Sequence, residues 1–333
     1  MAPREVRQPE VARLLGLVAA AVLVLPVVQA AVGLAVALAF LVEFLSAGSH
    51  RPLSSLTAAP RREPLAVDGV AVDRWSDGDG VPLVLVHGYA PAGKDEPRVR
   101  TAAALLARAG FDVAVPTIPG LTRGRLRPED VRPVVATLAA RPRPTVVVAV
   151  SVGAGPALLA AADPSVRSHV RTVLSLGGYA SAAELLRFFL TGEYAWNGIH
   201  GRVEHEPEVV HAFVEANADL LDTSARAALA DPQRAAALLR APPPRVLDLL
   251  ERLSPERVAR DITARLVLVH GVDDPAIPYT ESLRLAAARP RRTRVVLVHV
   301  LQHVEPGRGA ARLSALRELV SLVLVFYGLG RPG

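Results

Sequence analysis

Along the chain, short runs of consecutive apolar, mostly β-branched residues alternate with longer alanine- and leucine-rich segments, which predicts strands separated by helices. The runs at 81–86, 111–115, 146–150, 172–176, 266–269 and 294–300 read as strands, with helices at 99–109, 127–140, after 153, and at 310–327. Unbroken apolar runs, rather than in-out alternation, imply strands buried on both faces, so the pattern predicts a mostly parallel α/β sheet covered by helices on both sides. Residues 65–75 (LAVDGVAVDRW) do alternate, around Asp68-Gly69, and predict a hairpin. Between 179 and 262 the rhythm stops. Only helical segments are legible there, at 182–190, 207–221, 225–240 and 246–253, broken by Pro242-Pro243-Pro244. That stretch reads as an inserted helical cap.

The N-terminus differs from everything after it. Residues 14–42 contain no charged side chain, and about 20 apolar residues suffice to cross a bilayer. A cleavable signal peptide would end near Val28-Gln29-Ala30, but the apolar run continues to Leu45, which favours an uncleaved anchor with Pro26 inside it. Arg4, Arg7 and Arg13 before the run balance Arg51, Arg61 and Arg62 after it. The short leading tail favours an inside N-terminus and an extracytoplasmic globular part. Residues 46–64, rich in small residues, proline and arginine, read as a tether. The expected division is therefore an anchor at 1–45, a linker at 46–64, a core in two parts at 65–178 and 265–333, and a cap at 179–264.

Composition narrows the chemistry. With 333 residues, 51% of them hydrophobic, the chain can bury one large core and an accessory region. The net charge is +6, yet the basic residues are almost all arginine and scattered, and aromatics are only 4%. Stacking platforms for nucleic acid are thus poor, and no nucleic-acid partner is expected. The absence of cysteine excludes thiol catalysis, thiolate metal sites and disulfides.

Residues 146–164, VVVAVSVGAGPALLAAADP, are where the chemistry points. A strand stops at Ser151, small residues surround it, and an alanine-rich helix follows with Pro156 in its first turn, where a missing N–H costs little. A serine on so sharp a turn needs small neighbours two residues away on each side, here Ala149 and Gly153, and it is presented at the sheet edge above a helix N-terminus. The motif departs from G-x-S-x-G at Ala149 alone. By itself such a serine could equally be a hydroxyl at a strand end, because short motifs match by chance. The later strands supply partners: VHGVDDPAIP offers Asp273 and Asp274, and HVLQHVEP offers His299 and His303.

Serine, acid and histidine in that order, with a helical insertion between the first two, resemble the α/β-hydrolase superfamily over about residues 65–327. The resemblance rests on the His87-Gly88 loop, the Ser151 turn, the Gly271-x-x-Asp274-x-x-x-Pro278 turn and the terminal histidine loop. It implies an α/β-hydrolase fold with a catalytic Ser151, Asp274 and His303. It also implies an oxyanion site built from the backbone N–H groups of Tyr89 and Val152. Asp273 is then a turn-forming or helix-capping neighbour, His299 a packed strand histidine, and His87 a structural hydrogen-bonder. The chemistry implied is hydrolysis of a small-molecule carboxylic ester through an acyl-enzyme. Thioesterase, amidase or peptidase, acyltransferase and non-catalytic binding roles stay open. No cofactor and no metal are called for; His200, Glu204, His205, Glu206, Glu208 and His211 in the cap read as a hydrogen-bonding surface.

Overall fold

The computed structural model describes residues 8–141, 144–217, 219, 223, 242–302, 305, 306 and 313–331. It opens with the 38-residue helix α1 (Gln8–Leu45), the short helix α2 (Pro52–Leu56) and the strands β1 (Arg61–Val67) and β2 (Val70–Ser76). Then come β3 (Val81–Val86), α3 (Pro97–Arg108), β4 (Phe111–Pro116), α4 (Val131–Ala139), β5 (Thr145–Val150), α5 (Ala154–Ala162) and β6 (Val170–Leu176). The cap holds α6 (Ala182–Thr191), β7 (Glu193–Trp196), β8 (Ile199–Arg202), α7 (Pro207–Ala216) and α8 (Pro244–Arg252). The core resumes with β9 (Arg265–Gly271), α9 (Thr280–Ala288), β10 (Thr293–Val298), the two-residue strands β11 (Leu301–Gln302) and β12 (Glu305–Pro306), and α10 (Leu313–Leu329).

The eight-stranded sheet runs β1-β2-β4-β3-β5-β6-β9-β10. Strands β4, β3, β5, β6, β9 and β10 are mutually parallel, and the β1–β2 hairpin joins them antiparallel at β4. Successive strand residues feed opposite layers. Leu83, Leu85, Val146, Val148, Val267 and Val269 pack against α3 and α10, while Val84, Val86, Val147, Ala149, Leu266 and Leu268 pack against α4, α5 and α9. Burying each such Val or Leu contributes about 1.5–3 kcal/mol, which is why both faces of these strands had to be apolar. The Asp68-Gly69 turn has positive φ at both residues (48° and 76°), as a two-residue hairpin requires.

In α1, Val24–Leu45 is long and apolar enough to cross a membrane, with mean hydropathy 2.4. Its last turns belong to the core, however. Ala37, Phe40 and Leu41 are buried, the Phe40 ring stacks on Phe326 of α10 with centroids 3.9 Å apart, and Gly33 lies against the Tyr327 ring. Buried Glu43 accepts hydrogen bonds from the Ser54 N–H and hydroxyl. The segment expected to be a tether therefore contains α2 and the start of β1, and the Arg108 guanidinium at the end of α3 donates to the Ser54, Thr57 and Ala58 carbonyls. Before the first docked residue, Gly33, residues 14–32 supply 19 residues, about 28 Å of helix against a hydrocarbon layer of roughly 30 Å.

In the cap, β7 and β8 form a hairpin through Asn197 and Gly198, both at positive φ. The hairpin left no trace in the apolar pattern because its four-residue strands are half exposed. The helix expected at 225–240 lies outside the described residues. Where α7 ends, Asn217 accepts from the Leu126 N–H and donates to the Gly124 carbonyl, tying the cap to the loop after β4.

Removing the Phe40 ring by Phe40→Ala should lower stability by about 3 kcal/mol, read as a drop of several degrees in the melting temperature of the full chain in detergent. An unchanged melting temperature would mean that α1 does not dock on α10.

Candidate active site

Ser151 follows β5 directly and adopts φ +54°, the left-handed region. For a residue with a side chain this costs on the order of 1–2 kcal/mol, so the surroundings must impose it. Val150 is still extended (φ −117°, ψ 128°), while residues 151–153 already form a tight 3-10 turn into α5. The chain must reverse within one residue, and close packing leaves no alternative. A Cβ on Gly153 would lie 2.2 Å from the His87 carbonyl oxygen. A Cβ on Gly88 would lie 3.0 Å from Ser151 Cβ and 3.6 Å from its Oγ. The departure at Ala149 is accommodated because its methyl points into the apolar layer over α5, fully buried.

The Gly88 approach brings the loop carrying Tyr89 against Ser151, and Val152 follows the serine in the turn into α5, so the segments of both expected oxyanion donors adjoin Ser151. The Tyr89 side chain itself points outward and is 62% exposed. Below it, His87 is buried and fully engaged: Nδ1–H donates to the Gly88 carbonyl (2.7 Å) and Nε2 accepts from the Ile118 N–H (3.1 Å). Burial lowers its pKa, so the ring is a neutral strut for the loop. The 120–130 loop is closed by the buried Asp130, which accepts from the Gly120 N–H (2.8 Å) and the Arg127 N–H (3.3 Å). Burial outweighs these donors and pushes the Asp130 carboxyl up to about 6. Lys94, in the loop after Tyr89, pairs with Asp73 (3.1 Å) and Asp95 (2.8 Å), which pins that loop to β2.

Of the two aspartates after β9, Asp274 is buried and Asp273 exposed. Asp274 Oδ1 accepts from the Ala276 and Ile277 N–H groups (2.8 and 3.0 Å). Its Oδ2 lies 3.5 Å from Nε2 of His270, a fully buried residue that sequence patterning did not single out. His270 Nε2–H donates to the Ile277 carbonyl (2.8 Å), and Nδ1 lies 2.8 Å from Ser282 Oγ. With both nitrogens committed, His270 and Ser282 brace the acid turn. The only sequence signal was a polar residue ending an otherwise apolar strand.

Strands β5, β6, β9 and β10 are neighbours and parallel, so Ser151, the Asp274 turn and the segment after β10 come to one edge of the sheet. The turn is tied to β10 through the Val272 N–H, which donates to the Val298 carbonyl (2.8 Å). His303 lies outside the described residues; on either side of it, Leu301–Gln302 and Glu305–Pro306 pair antiparallel. His299 is not a packed strand histidine. Strand β10 ends at Val298 because the Glu318 carboxylate of α10 takes the His299 and Val300 N–H groups (2.8 and 3.1 Å), leaving the His299 ring largely exposed, with Nδ1 3.0 Å from Glu318.

Val152, the residue after Ser151, is partly buried against a cluster that includes Tyr179, Leu185 and Ile277, and Leu126, Leu186, Phe189 and Leu249 pack against the same cluster. Apolar side chains of the cap thus share one cluster with the residue that follows the serine. His205 in the cap stands edge-on to Phe188 (4.7 Å) and its Nε2 meets the Phe188 carbonyl (3.1 Å). A separate cleft of about 790 Å³, lined by Asp68, Arg123, Arg125, Arg127, Asp130 and Arg132 among others, opens between the β1–β2 turn and the loop after β4, and Ser151 is not among its lining residues.

A parallel sheet in this strand order, with a strained serine between β5 and α5 and a braced acid turn after β9, defines an α/β-hydrolase. The model of the alpha/beta hydrolase family matches residues 83–320, well over half of the chain, and the protein belongs to that family. Similar solved structures include a puromycin-hydrolyzing peptidase from Mycobacterium tuberculosis, with TM-score 0.53 and 20% identity over 84% of this chain and 41% of that one. An acylaminoacyl peptidase from Pyrococcus horikoshii gives TM-score 0.52 and 15% identity over 82% and 41%. A Pyrococcus furiosus esterase gives TM-score 0.50 and 10% identity over 82% and 92%. The chain spans about two fifths of the length of the two peptidases. At these identities the likeness concerns the fold. Comparison with curated proteins returns no match.

Two outcomes are expected. With the oxyanion role expected for the Tyr89 N–H, Gly88→Ala, which adds a methyl against Ser151, should lower kcat by at least tenfold with little change in KM, since loss of such a donor acts on the transition state. Asp130 has a carboxyl pKa of about 6 against 3.8 for the ordinary group. The folded state therefore holds its proton more tightly, and its contribution to stability falls as pH rises from about 4 to about 6 and is flat above. Relative to Asp130→Asn, the wild type should lose melting temperature between pH 4 and pH 6.5. Parallel curves for the two proteins would contradict the assignment.

Proposed function

We propose that this protein is a membrane-tethered serine hydrolase that cleaves carboxylic esters with an apolar acyl or alcohol group. The observation that carries the reading is the serine forced to φ +54° at the strand-helix turn, with Gly88 against its Cβ. A structure maintains such strain only where its surroundings over-determine it, and here they leave the hydroxyl at a sheet edge. In this mechanism His303 takes the proton from Ser151 Oγ as the oxygen attacks the ester carbonyl, and Asp274 orients the imidazole and stabilises its positive charge. The N–H groups of Tyr89 and Val152 meet the developing oxyanion. His303 then returns the proton to the leaving alcohol, and water, activated the same way, releases the acid. No cofactor or metal takes part.

The apolar cluster shared by Val152, Leu186 and Phe189 supports an apolar substrate group. The similar structures are named as peptidases and as an esterase, so the acyl-transfer class is common to both and the choice of ester rests on the apolar site. The tether is α1, whose exposed stretch suits a bilayer span.

The test is hydrolysis of p-nitrophenyl esters of increasing chain length by the full chain in detergent, with fluorophosphonate labelling alongside. Ser151→Ala should abolish labelling and lower kcat by on the order of 10⁴ or more, with His303→Ala close behind. The optimum should lie at medium or long acyl chains. Folded wild type that neither labels nor turns over would instead indicate a binding module. Faster turnover of matched thioesters or amides would move the substrate class.

A further inference from the structure

The arginines scattered along the sequence converge in the fold. Parallel strands β6, β9 and β10 start at the same end of the sheet, and Arg171, Arg265 and Arg294 occupy their first or second positions. Arg291 and Arg292 precede β10 at that end, and Arg331, just past α10, lies over the Tyr327 ring with its guanidinium carbon 4.7 Å from the centroid. Their contacts are with backbone and ring rather than carboxylate: Arg171 donates to the Leu329 carbonyl (2.7 Å) and Arg265 lies 3.5 Å from the Gly328 carbonyl. Among the described residues none of the six forms an ion pair. Burial and the neighbouring Arg265 both lower the Arg171 pKa, a sign of unrelieved like charge. A surface of this kind asks for a polyanion opposite it.

The same end carries the apolar helix. The residues of α10 that meet this end, Phe326 and Tyr327, are those on which Phe40 and Gly33 of α1 pack. Arg108, at the end of α3, fixes α2 beside them, and Leu56 of α2 is 84% exposed there. The polyanion closest to an apolar helix is the headgroup layer of the bilayer it enters. We propose that this arginine-rich end of the domain docks on an anionic phospholipid surface, seating the hydrolase on the membrane entered by α1. The proposal rests on the tether reading for its choice of polyanion. It turns the opposite, carboxyl edge of the sheet, where Ser151 sits, away from the lipid by about the 20 Å length of a six-residue strand. Substrate then arrives from the aqueous phase rather than by lateral diffusion in the bilayer.

The chain has no cysteine, so a single introduced one reports position unambiguously. Full-length protein carrying a fluorophore at Ser168→Cys, at the arginine end, or at Glu129→Cys, at the catalytic edge, is reconstituted into vesicles with nitroxide-labelled headgroups. These contain either phosphatidylcholine alone or a mixture with about one third phosphatidylglycerol. The expected result is quenching at residue 168 but not at 129, stronger in the anionic vesicles. It should fall sharply in an Arg291→Gln, Arg292→Gln, Arg294→Gln triple variant whose melting temperature is unchanged, since each arginine near an anionic leaflet contributes about fivefold. Equal quenching at both positions, or no dependence on phosphatidylglycerol, would overturn the proposal. Alkaline extraction tests α1 separately: a chain that is extracted is not membrane-inserted, and the tether reading falls. In that case salt-sensitive flotation with anionic vesicles, lost in the triple variant, still sustains the docking surface, and no flotation overturns it. Tighter binding of this end to an RNA oligonucleotide than to anionic vesicles would also overturn it.

Discussion

The contact on which the rest of the site depends is the one between the 151–153 turn and the His87-Gly88 loop. Gly153 sits under the His87 carbonyl and Gly88 lies against Ser151 Cβ, with no room for a methyl at Gly153. Because both segments leave adjacent parallel strands, β3 and β5, the packing of the sheet core is transmitted directly to the serine. The neutral His87 ring, anchored to Gly88 and Ile118, keeps the loop from relaxing away. The strain at Ser151 is thus held by backbone contacts, which do not adjust as side chains do.

The acid turn is held differently. Asp274 is enclosed and positioned by two N–H groups and by His270, whose ring is fixed by Ser282 and Ile277. Loss of one partner would leave a buried polar group unsatisfied, a cost of about 1–3 kcal/mol, so the network is cooperative. The two halves of the site therefore have separate structural supports: close backbone packing under the serine, and a buried hydrogen-bond network under the aspartate.

At the opposite end of the sheet the constraints are electrostatic and apolar. The end of α1 is built into the helix layer formed by α3 and α10, so any membrane contact of α1 fixes the orientation of the whole domain rather than leaving it on a free leash. Arginines at the starts of three strands lie at that end, and among the described residues none of them forms an ion pair.

The choice of Asp274 over Asp273 as a candidate came from the resemblance to the α/β-hydrolase superfamily, whereas the sequence by itself determined the strands of the core, the Asp68-Gly69 hairpin and the serine turn. Each is set by local sterics or by burial on both faces, and both leave a mark in the order of residues. Ser151 was legible because its turn demands small neighbours within two positions. His270 and Ser282 were not, since their role exists only once β9 and α9 are packed together. The cap hairpin was hidden because half-exposed four-residue strands carry no apolar run, and the docking of Phe40 and Glu43 was hidden inside what reads as an anchor and a tether. Tertiary structure alone decided the strand order and the convergence of dispersed arginines, because parallel strands bring their first residues together however far apart they lie in the chain.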